Sequence, residues 1–239
     1  MKKICLLLIV LFVVSLPLLG GGLYVYYKSL THYPQFYSAL LKIEDKQLDE
    51  GNKSTLIEAA NLINQVKKGQ PWTLELTQDQ LNGWLEKGCY GQFPGLLPDG
   101  TYYPRVQLED DRIYYAQEYC PDNFESVVWA QVCVQMPEPG VVCVILEKAR
   151  MGLLPISSSL VKSDLQKRIK KWNLPLELST NNQGQLQLTV RLKEIDSNND
   201  WKVDPTVYKG RKLSLETLDI RQGRIRISGT SEKLPLNQR

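Results

Sequence analysis

The sequence contains a single histidine, His32, in 239 residues. A Ser-His-Asp triad or a Cys-His pair needs a histidine inside the folded domain, whereas His32 lies close to an apolar N-terminal run. The motifs G-x-S-x-G, G-x-x-x-x-G-K-[ST] and G-x-G-x-x-G are absent, and no C-x-x-C spacing occurs. Triad hydrolases are thereby excluded, and phosphate-binding loops and cysteine-rich zinc sites lack support. We predict no catalytic and no cofactor-binding residues.

Charge is missing from residues 5–27, which read CLLLIVLFVVSLPLLGGGLYVYY. About 20 apolar residues span a bilayer as a helix, since every backbone polar group is then paired within the segment. Lys2 and Lys3 precede the run, so the positive-inside bias predicts a cytoplasmic N-terminus and residues 28–239 outside the cell. A cleaved signal peptide is the alternative, but no A-x-A-like site follows the apolar run. The sequence thus predicts a single-pass cell-membrane protein with residues 5–27 in the membrane.

Residues 28–239 carry almost no net charge, with 27 basic and 26 acidic residues. Such a balance does not provide the basic surface that nucleic-acid binding requires. We therefore predict no nucleic-acid partner.

Four cysteines follow the apolar run, and an even number in an oxidising compartment predicts disulfides. Two of them, Cys133 and Cys143, are equidistant from Glu138 at the centre of a predicted β-hairpin turn. A symmetric register would place them opposite each other, within disulfide reach. Cys89 then pairs with Cys120 by elimination. Four buried free thiols are the alternative.

Apolar residues at helical spacing predict two helices before the first strand. One follows Pro34, and the other begins after Gly51-Asn52, at Ser54 or Thr55, and ends before Gly69. Thr77 and Gln80 form a capping box for a further helix. The predicted segments are a signal anchor (1–28), a helical stalk or hairpin (29–70), an α+β domain (71–232) and a flexible tail (233–239).

Four β-hairpins are readable after residue 104, with turns at 110–111, 136–140, 181–184 and 221–223. The segment 157–172 between the second and third hairpins has Val161, Leu165, Ile169 and Trp172 on one helical stripe. The predicted fold is therefore α+β: a curved antiparallel sheet of about eight strands packed on this amphipathic helix, with N-terminal helices and one transmembrane helix.

Several motifs resemble a group of uncharacterised single-pass bacterial envelope proteins, and more loosely the YpmS-like anchored proteins. They are W-x-L-x-L-T-x-x-Q-L-N-x-W-L (72–85), LPDG (97–100), PRV (104–106), MGLLP (151–155) and the closing SGT (228–230). The resemblance covers most of residues 34–232. It implies an anchored extracytoplasmic domain, and it carries no known catalytic residues. In architecture, a helix wrapped by a curved sheet is similar to tubular lipid-binding domains, by analogy alone.

One polar segment has oxygen-bearing side chains at positions 1, 3, 5 and 9 of an EF-hand-like loop: Asp196, Asn198, Asp200 and Asp204. Trp201 stands where the sharp turn requires glycine, and Val207 stands where the bidentate glutamate belongs. Calcium is the only cofactor that this pattern suggests. The alternative is a polar connection between strands.

The polar side of the helix at 157–172 is basic. Its residues Lys162, Lys167, Arg168, Lys170 and Lys171 are candidates for contact with anionic lipid headgroups. The alternative is a solvated helix face above an apolar stripe.

Two classes of function follow from these features. The first is a membrane-anchored, extracytoplasmic, non-enzymatic domain that binds a lipid or another ligand, or takes part in envelope assembly with another envelope protein. The second is a carboxylate-dependent envelope enzyme acting on polysaccharide, for which the cluster Glu109, Asp110 and Asp111 is the densest group of acids. An apolar cavity beside the helix would support the first class, and two convergent carboxylates in a polar cleft the second.

Overall fold

The structure is a computed structural model and describes residues 23–89, 100–121, 124–172, 176–191 and 211–233. These residues form a mixed α+β fold. The helices in this part of the chain are α1 (23–30), α2 (Gln35–Leu40), α3 (Asp45–Lys68), α4 (Gln78–Gly83) and α5 (Ser158–Trp172). A π-helical turn, Trp84–Gly88, continues α4 directly.

The strands form two antiparallel sheets. Their bounds are β1 (Trp72–Thr77), β2 (Thr101–Glu109), β3 (Arg112–Tyr119), β4 (Ser126–Glu138), β5 (Val141–Met151), β6 (Leu154–Pro155), β7 (Leu176–Thr180), β8 (Leu186–Arg191), β9 (Arg211–Arg221) and β10 (Arg224–Lys233). The larger sheet has the order β2-β3-β4-β5-β8-β7, with β6 paired to β5, and the smaller sheet has the order β1-β10-β9.

The four predicted hairpins are confirmed as β2–β3, β4–β5, β7–β8 and β9–β10. The predicted capping box is also present, since Thr77 Oγ1 accepts from the Gln80 backbone N–H at 3.3 Å while the Gln80 side chain accepts from the Thr77 N–H at 2.7 Å. Both features depend on contacts between residues close in sequence, and this is why the sequence predicts them well.

The core lies between the two sheets. Leu108, Val134 and Ile220 are buried at its centre, and partly buried side chains from α4 and from both sheets pack against them. Register places Ile113, Val132 and Val144 on the same face of the larger sheet as Leu108 and Val134. This face of the larger sheet is therefore its apolar face, and the smaller sheet covers part of it. The predicted single sheet is instead two sheets packed on each other.

Helix α2 covers one end of the opposite face of the larger sheet. Tyr37 is fully buried there against Ala116 and Val127, and Tyr33, Phe36 and Trp129 pack around them. Most side chains on the remainder of this face are polar, although Ile145 and Val141 also lie on it, and we call it the polar face.

The two N-terminal helices divide at residues 41–44, not at Gly51-Asn52, because Gly51 and Asn52 lie inside α3. Gly51 allows α3 to pack very closely on α4, since a Cβ at this position would lie 2.5 Å from the Asp79 carbonyl oxygen. Helix α3 also contacts β1 and the π-helical turn.

Helix α5 is not the central core helix that its apolar stripe predicted. None of its described side chains, from 158 to 169, is buried, and Leu160 is 65% exposed. The helix contacts β7, at the edge of the larger sheet. The smaller sheet occupies the position on the apolar face that the prediction gave to the helix, because β9 and β10 offer a complementary apolar face.

The predicted transmembrane helix is corrected by the structure. Within the described part of the chain, no helix is both long enough and apolar enough to cross a bilayer. Of the predicted span at residues 5–27, residues 5–22 lie outside the described ranges and 23–27 belong to α1. The single-pass location, with residues 28–239 outside the cell, rested on that helix and is overturned with it.

The predicted disulfides are wrong, because all four cysteines after the N-terminal run are free thiols. Residue Cys143 lies opposite Gln135, and Cys133 lies opposite Ile145. A register shift between Gln135 and Glu138 displaces the two strands relative to the symmetric register. The two cysteines are therefore diagonal neighbours, with Cβ atoms farther apart than a disulfide permits. Cys89 and Cys120, paired only by elimination, are also free.

Candidate functional site

The apolar face of the larger sheet continues beyond the part that the smaller sheet covers. We call its outer section the apolar strip: Leu176 and Leu178 of β7, and Leu188 and Val190 of β8, which are paired as Leu176↔Val190 and Leu178↔Leu188. Register aligns the strip with Val142 and Val144, which pack against the core. None of the four strip residues is fully buried.

Helix α5 contacts β7, the strand that carries Leu176 and Leu178 of the strip. Its predicted lipid-contact residue Arg168 is ion-paired with Asp164, Nε to Oδ2 2.7 Å, one helical turn away. Lys162 is partly buried and Lys167 is exposed. The side chains of Lys170 and Lys171 lie outside the described residues. These basic groups therefore belong to a helix that contacts the edge strand of the larger sheet, and their role in binding headgroups stays a prediction.

A polar cluster occupies the centre of the polar face. Glu147 accepts through Oε2 from Arg112 Nε at 3.0 Å and from Gln131 Nε2 at 2.6 Å. Register shifts by one residue at Glu147, because Gln131 pairs with Lys148 while Val132 pairs with Leu146. Such a β-bulge bends the strand and re-aims a side chain. The ion pair raises the pKa of Arg112 above its already high usual value.

A second carboxylate lies at the edge of the same cluster. Glu109 accepts from Gln107 Nε2 at 2.9 Å and interacts with the hydroxyl of Tyr114, whose pKa is raised by burial and by the hydrogen bond to Glu109. The neighbouring Asp110 and Asp111 form the turn between β2 and β3. Of the three predicted acids, one therefore reaches the cluster and two do not. The sequence did not indicate Glu147 as a member of this cluster, because a β-bulge leaves no clear pattern in a single sequence.

Tyrosines dominate the end of the polar face beneath α2. The Tyr33 hydroxyl donates to Glu118 Oε1 at 3.0 Å, and the Tyr37 hydroxyl donates to the Tyr103 carbonyl oxygen at 2.9 Å. Burial and the Glu118 carboxylate raise the pKa of Tyr33 to about 12. Burial also raises the pKa of Tyr37, and the Glu118 charge adds to this effect.

A buried ion pair lies next to this tyrosine-rich end and binds its backbone. Arg105 Nη1 lies 2.7 Å from Glu86 Oε2 of the π-helical turn, and the Arg105 side chain is only 4% exposed. The same nitrogen donates to the Pro104 carbonyl oxygen, and Arg105 Nε donates to that of Leu40. Sequence reasoning missed this pair. Pro104 inside a strand was the available signal, since proline in a sheet marks an edge strand or a bulge.

The predicted calcium loop, Asp196 to Asp204, lies outside the described residues. In the ranges that the structure does describe, no three His, Cys, Asp or Glu side chains converge as metal ligands.

Comparison with known proteins provides no functional assignment. No protein-family model matches the chain, no curated protein is detectably similar to it, and no solved structure matches it. Function is therefore argued from the residues themselves.

Proposed function

We propose that this protein is a non-enzymatic binding module that holds an apolar chain, such as a single acyl chain, against the apolar strip. One observation carries the proposal: the strip continues the core-facing side of the larger sheet, yet its side chains remain partly exposed. Apolar area of this kind gains roughly 25 cal/mol per Å² when a ligand removes it from water.

The basic side of α5 favours a ligand with an anionic headgroup. Lys162 and Lys167 belong to the helix that contacts β7, whose side chains Leu176 and Leu178 form half of the strip. A ligand with an acyl chain on the strip would bring its head close to these ammonium groups.

Native mass spectrometry of the purified chain, before and after lipid extraction, tests for such a ligand directly. We expect a mass that the extraction removes, and a fluorescent fatty acid that then binds to the emptied protein. The same mass before and after extraction, together with no binding of the fatty acid, would contradict the proposal.

Substitutions on the two faces of β7 locate the binding surface. Leu178→Asp puts a charge on the apolar strip, and we expect it to weaken fatty-acid binding at least tenfold, because an unpaired carboxylate opposes burial. Ser179→Asp is the matched control, since the next residue of the strand points to the opposite face. The melting temperatures of both variants show whether folding is retained. Equal binding by the two folded variants would place the ligand elsewhere.

A carboxylate-dependent enzyme acting on polysaccharide is the second candidate function. Glu109 and Glu147 lie in one partly exposed cluster on the polar face, with Tyr114 and Arg112 between them. Polysaccharide hydrolysis by the wild type that Glu147→Gln abolishes would favour this candidate. Glu147 is already ion-paired with Arg112, and Glu109 already accepts a hydrogen bond from Gln107, so we place this function second.

A further inference from the structure

Two consecutive tyrosines near the start of β2 lie side by side on the surface. Tyr102 is 51% exposed and Tyr103 is 49% exposed, and their ring centroids are 6.4 Å apart with the ring planes inclined at 46°. Consecutive side chains of a regular strand point to opposite faces. Here the backbone turns, because Tyr103 has φ +50 and the register shifts between Tyr102 and Arg105.

This backbone conformation is unfavourable for a tyrosine, and the surrounding structure holds it in place. The buried Tyr37 hydroxyl binds the Tyr103 carbonyl oxygen at 2.9 Å. The next residue, Pro104, is fully buried, and its carbonyl oxygen accepts from Arg105 Nη1 at 2.9 Å. Glu86 fixes Arg105 in turn. The paired rings are thus presented on a rigid support.

A carboxylate lies on the strand that pairs with Tyr102. Glu118 is the cross-strand partner of Tyr102, and its Oε1 binds the Tyr33 hydroxyl at 3.0 Å. The carboxylates of Glu118 and Glu125 both raise the pKa of Tyr33. Arg105, the cation that acts on Tyr37, is buried and paired with Glu86. An incoming cation would therefore meet exposed aromatic rings beside a carboxylate.

We propose that Tyr102, Tyr103 and Glu118 form a recognition site for a cationic group, namely a quaternary ammonium or protonated amine. A cation is attracted to an aromatic face within about 6 Å of its centroid, and centroids 6.4 Å apart allow one cation to reach both rings. A saccharide that stacks on two rings would need them nearly coplanar, and the 46° inclination disfavours this. The site is on the polar face of the larger sheet and does not depend on the acyl-chain proposal.

The test is a titration of the full chain with choline at low salt, in which binding is measured by isothermal titration calorimetry or ligand-observed NMR. The neutral probe is 3,3-dimethylbutan-1-ol, which has the shape of choline without its charge. We expect choline to bind and the neutral probe to bind at least severalfold more weakly. Added salt should weaken choline binding, because it screens Glu118.

Variants assign the binding to named residues. Tyr102→Leu and Tyr103→Leu keep apolar bulk but remove a ring, and each should weaken choline binding about two- to fivefold. Glu118→Gln should weaken it similarly, while Tyr103→Phe should retain it. Tyr27→Leu is the matched control, since Tyr27 is 56% exposed on α1, and it should bind like the wild type.

Several results would overturn the proposal. They are an absence of choline binding to the folded wild type, equal binding of the neutral probe, and choline binding that Glu118→Gln and Tyr102→Leu leave unchanged. Binding of maltotriose or of a proline-rich peptide in place of choline would reassign the tyrosine pair to a different ligand. Melting temperatures identify any variant that has lost its fold. If Tyr103→Leu does not fold, choline binding by Tyr103→Phe, which preserves the ring, tests this position instead.

Discussion

Asn82 protects the outer edge of the larger sheet. Its side-chain amide donates to the Val106 carbonyl oxygen at 3.0 Å and accepts from the Val106 N–H at 2.7 Å, as a neighbouring strand would. Gln78 supplies the next partner, because its side-chain oxygen accepts from the Leu108 N–H at 2.9 Å. Unpaired strand edges are available for aggregation, and here two amides of α4 close the edge of β2.

Asn82→Ala should therefore destabilise the protein by about 3 kcal/mol, since it leaves a buried N–H and a buried carbonyl of Val106 unpaired. Urea denaturation measures the change. Asn61→Ala is the control, because Asn61 is exposed on α3 and its replacement should change stability by less than about 0.5 kcal/mol. If Asn82→Ala lowers the free energy of unfolding no more than the control does, water must hydrogen-bond Val106 in place of the Asn82 amide.

Tyr33 makes the free energy of unfolding depend on pH in the alkaline range. Its pKa is raised from 10.0 to about 12 by burial and by Glu118, so the folded protein holds the phenolic proton more tightly than the unfolded chain does. The resulting stabilisation is complete below pH 10 and is lost as the pH rises toward 12. Tyr33→Phe should lack this component, so the stability difference between wild type and variant should shrink across that interval. Denaturation below pH 10 and near pH 12 measures it, and a constant difference would contradict the assignment.

At the scale of elements, the turn between β5 and β6 holds the end of α1. The Leu153 N–H donates to the Ser29 carbonyl oxygen at 2.8 Å, and Ser126 Oγ donates to that of Leu30 at 2.7 Å. The last carbonyls of a helix have no partners within it, so these bonds complete the helix terminus. Gly152 lies against them with φ +56, and a Cβ there would overlap the backbone oxygens of Ser29 and Leu30.

Gly152→Ala should release α1 from the sheet. We expect faster amide hydrogen exchange at residues 29–31. We also expect a loss of stability larger than the penalty of about 1–2 kcal/mol that a side chain at positive φ costs by itself. Gly184→Ala is the matched control, since Gly184 has φ +77 and nothing within 4 Å of the added Cβ. Equal stability losses and unchanged exchange at residues 29–31 would show that α1 is not held by this contact.

Among the elements, sequence patterns predicted the hairpin turns but not the position of α5. The turns at Asp110-Asp111 and at Arg221 to Gly223 are local, and both hairpins form around them. The apolar stripe of α5 has the spacing of a core helix, yet its described side chains are not buried. Helical spacing shows which side of a helix is apolar, but not which of several apolar surfaces will cover the sheet.

At the scale of the whole molecule, the two sheets share a core, and within the described residues the larger sheet carries partly exposed side chains on both faces. The apolar strip lies on one face and the polar cluster with the tyrosine pair on the other. The two proposed ligands, an acyl chain and a cation, would therefore bind on opposite faces. Each can be tested while the other site is left intact.

Strand alternation, turn chemistry and helix capping are properties of neighbouring residues, and by themselves they determined the α+β class, the four hairpins and the capped α4. The pairing of Cys143 with Gln135, the aim of Glu147 and the approach of Tyr102 to Tyr103 each follow from a register shift. Pro104 marks one of these shifts in the sequence, but the pattern of neighbouring residues does not indicate which side chains a shift brings together. The thiols, the carboxylates and the paired rings thus acquired their positions only in the tertiary structure.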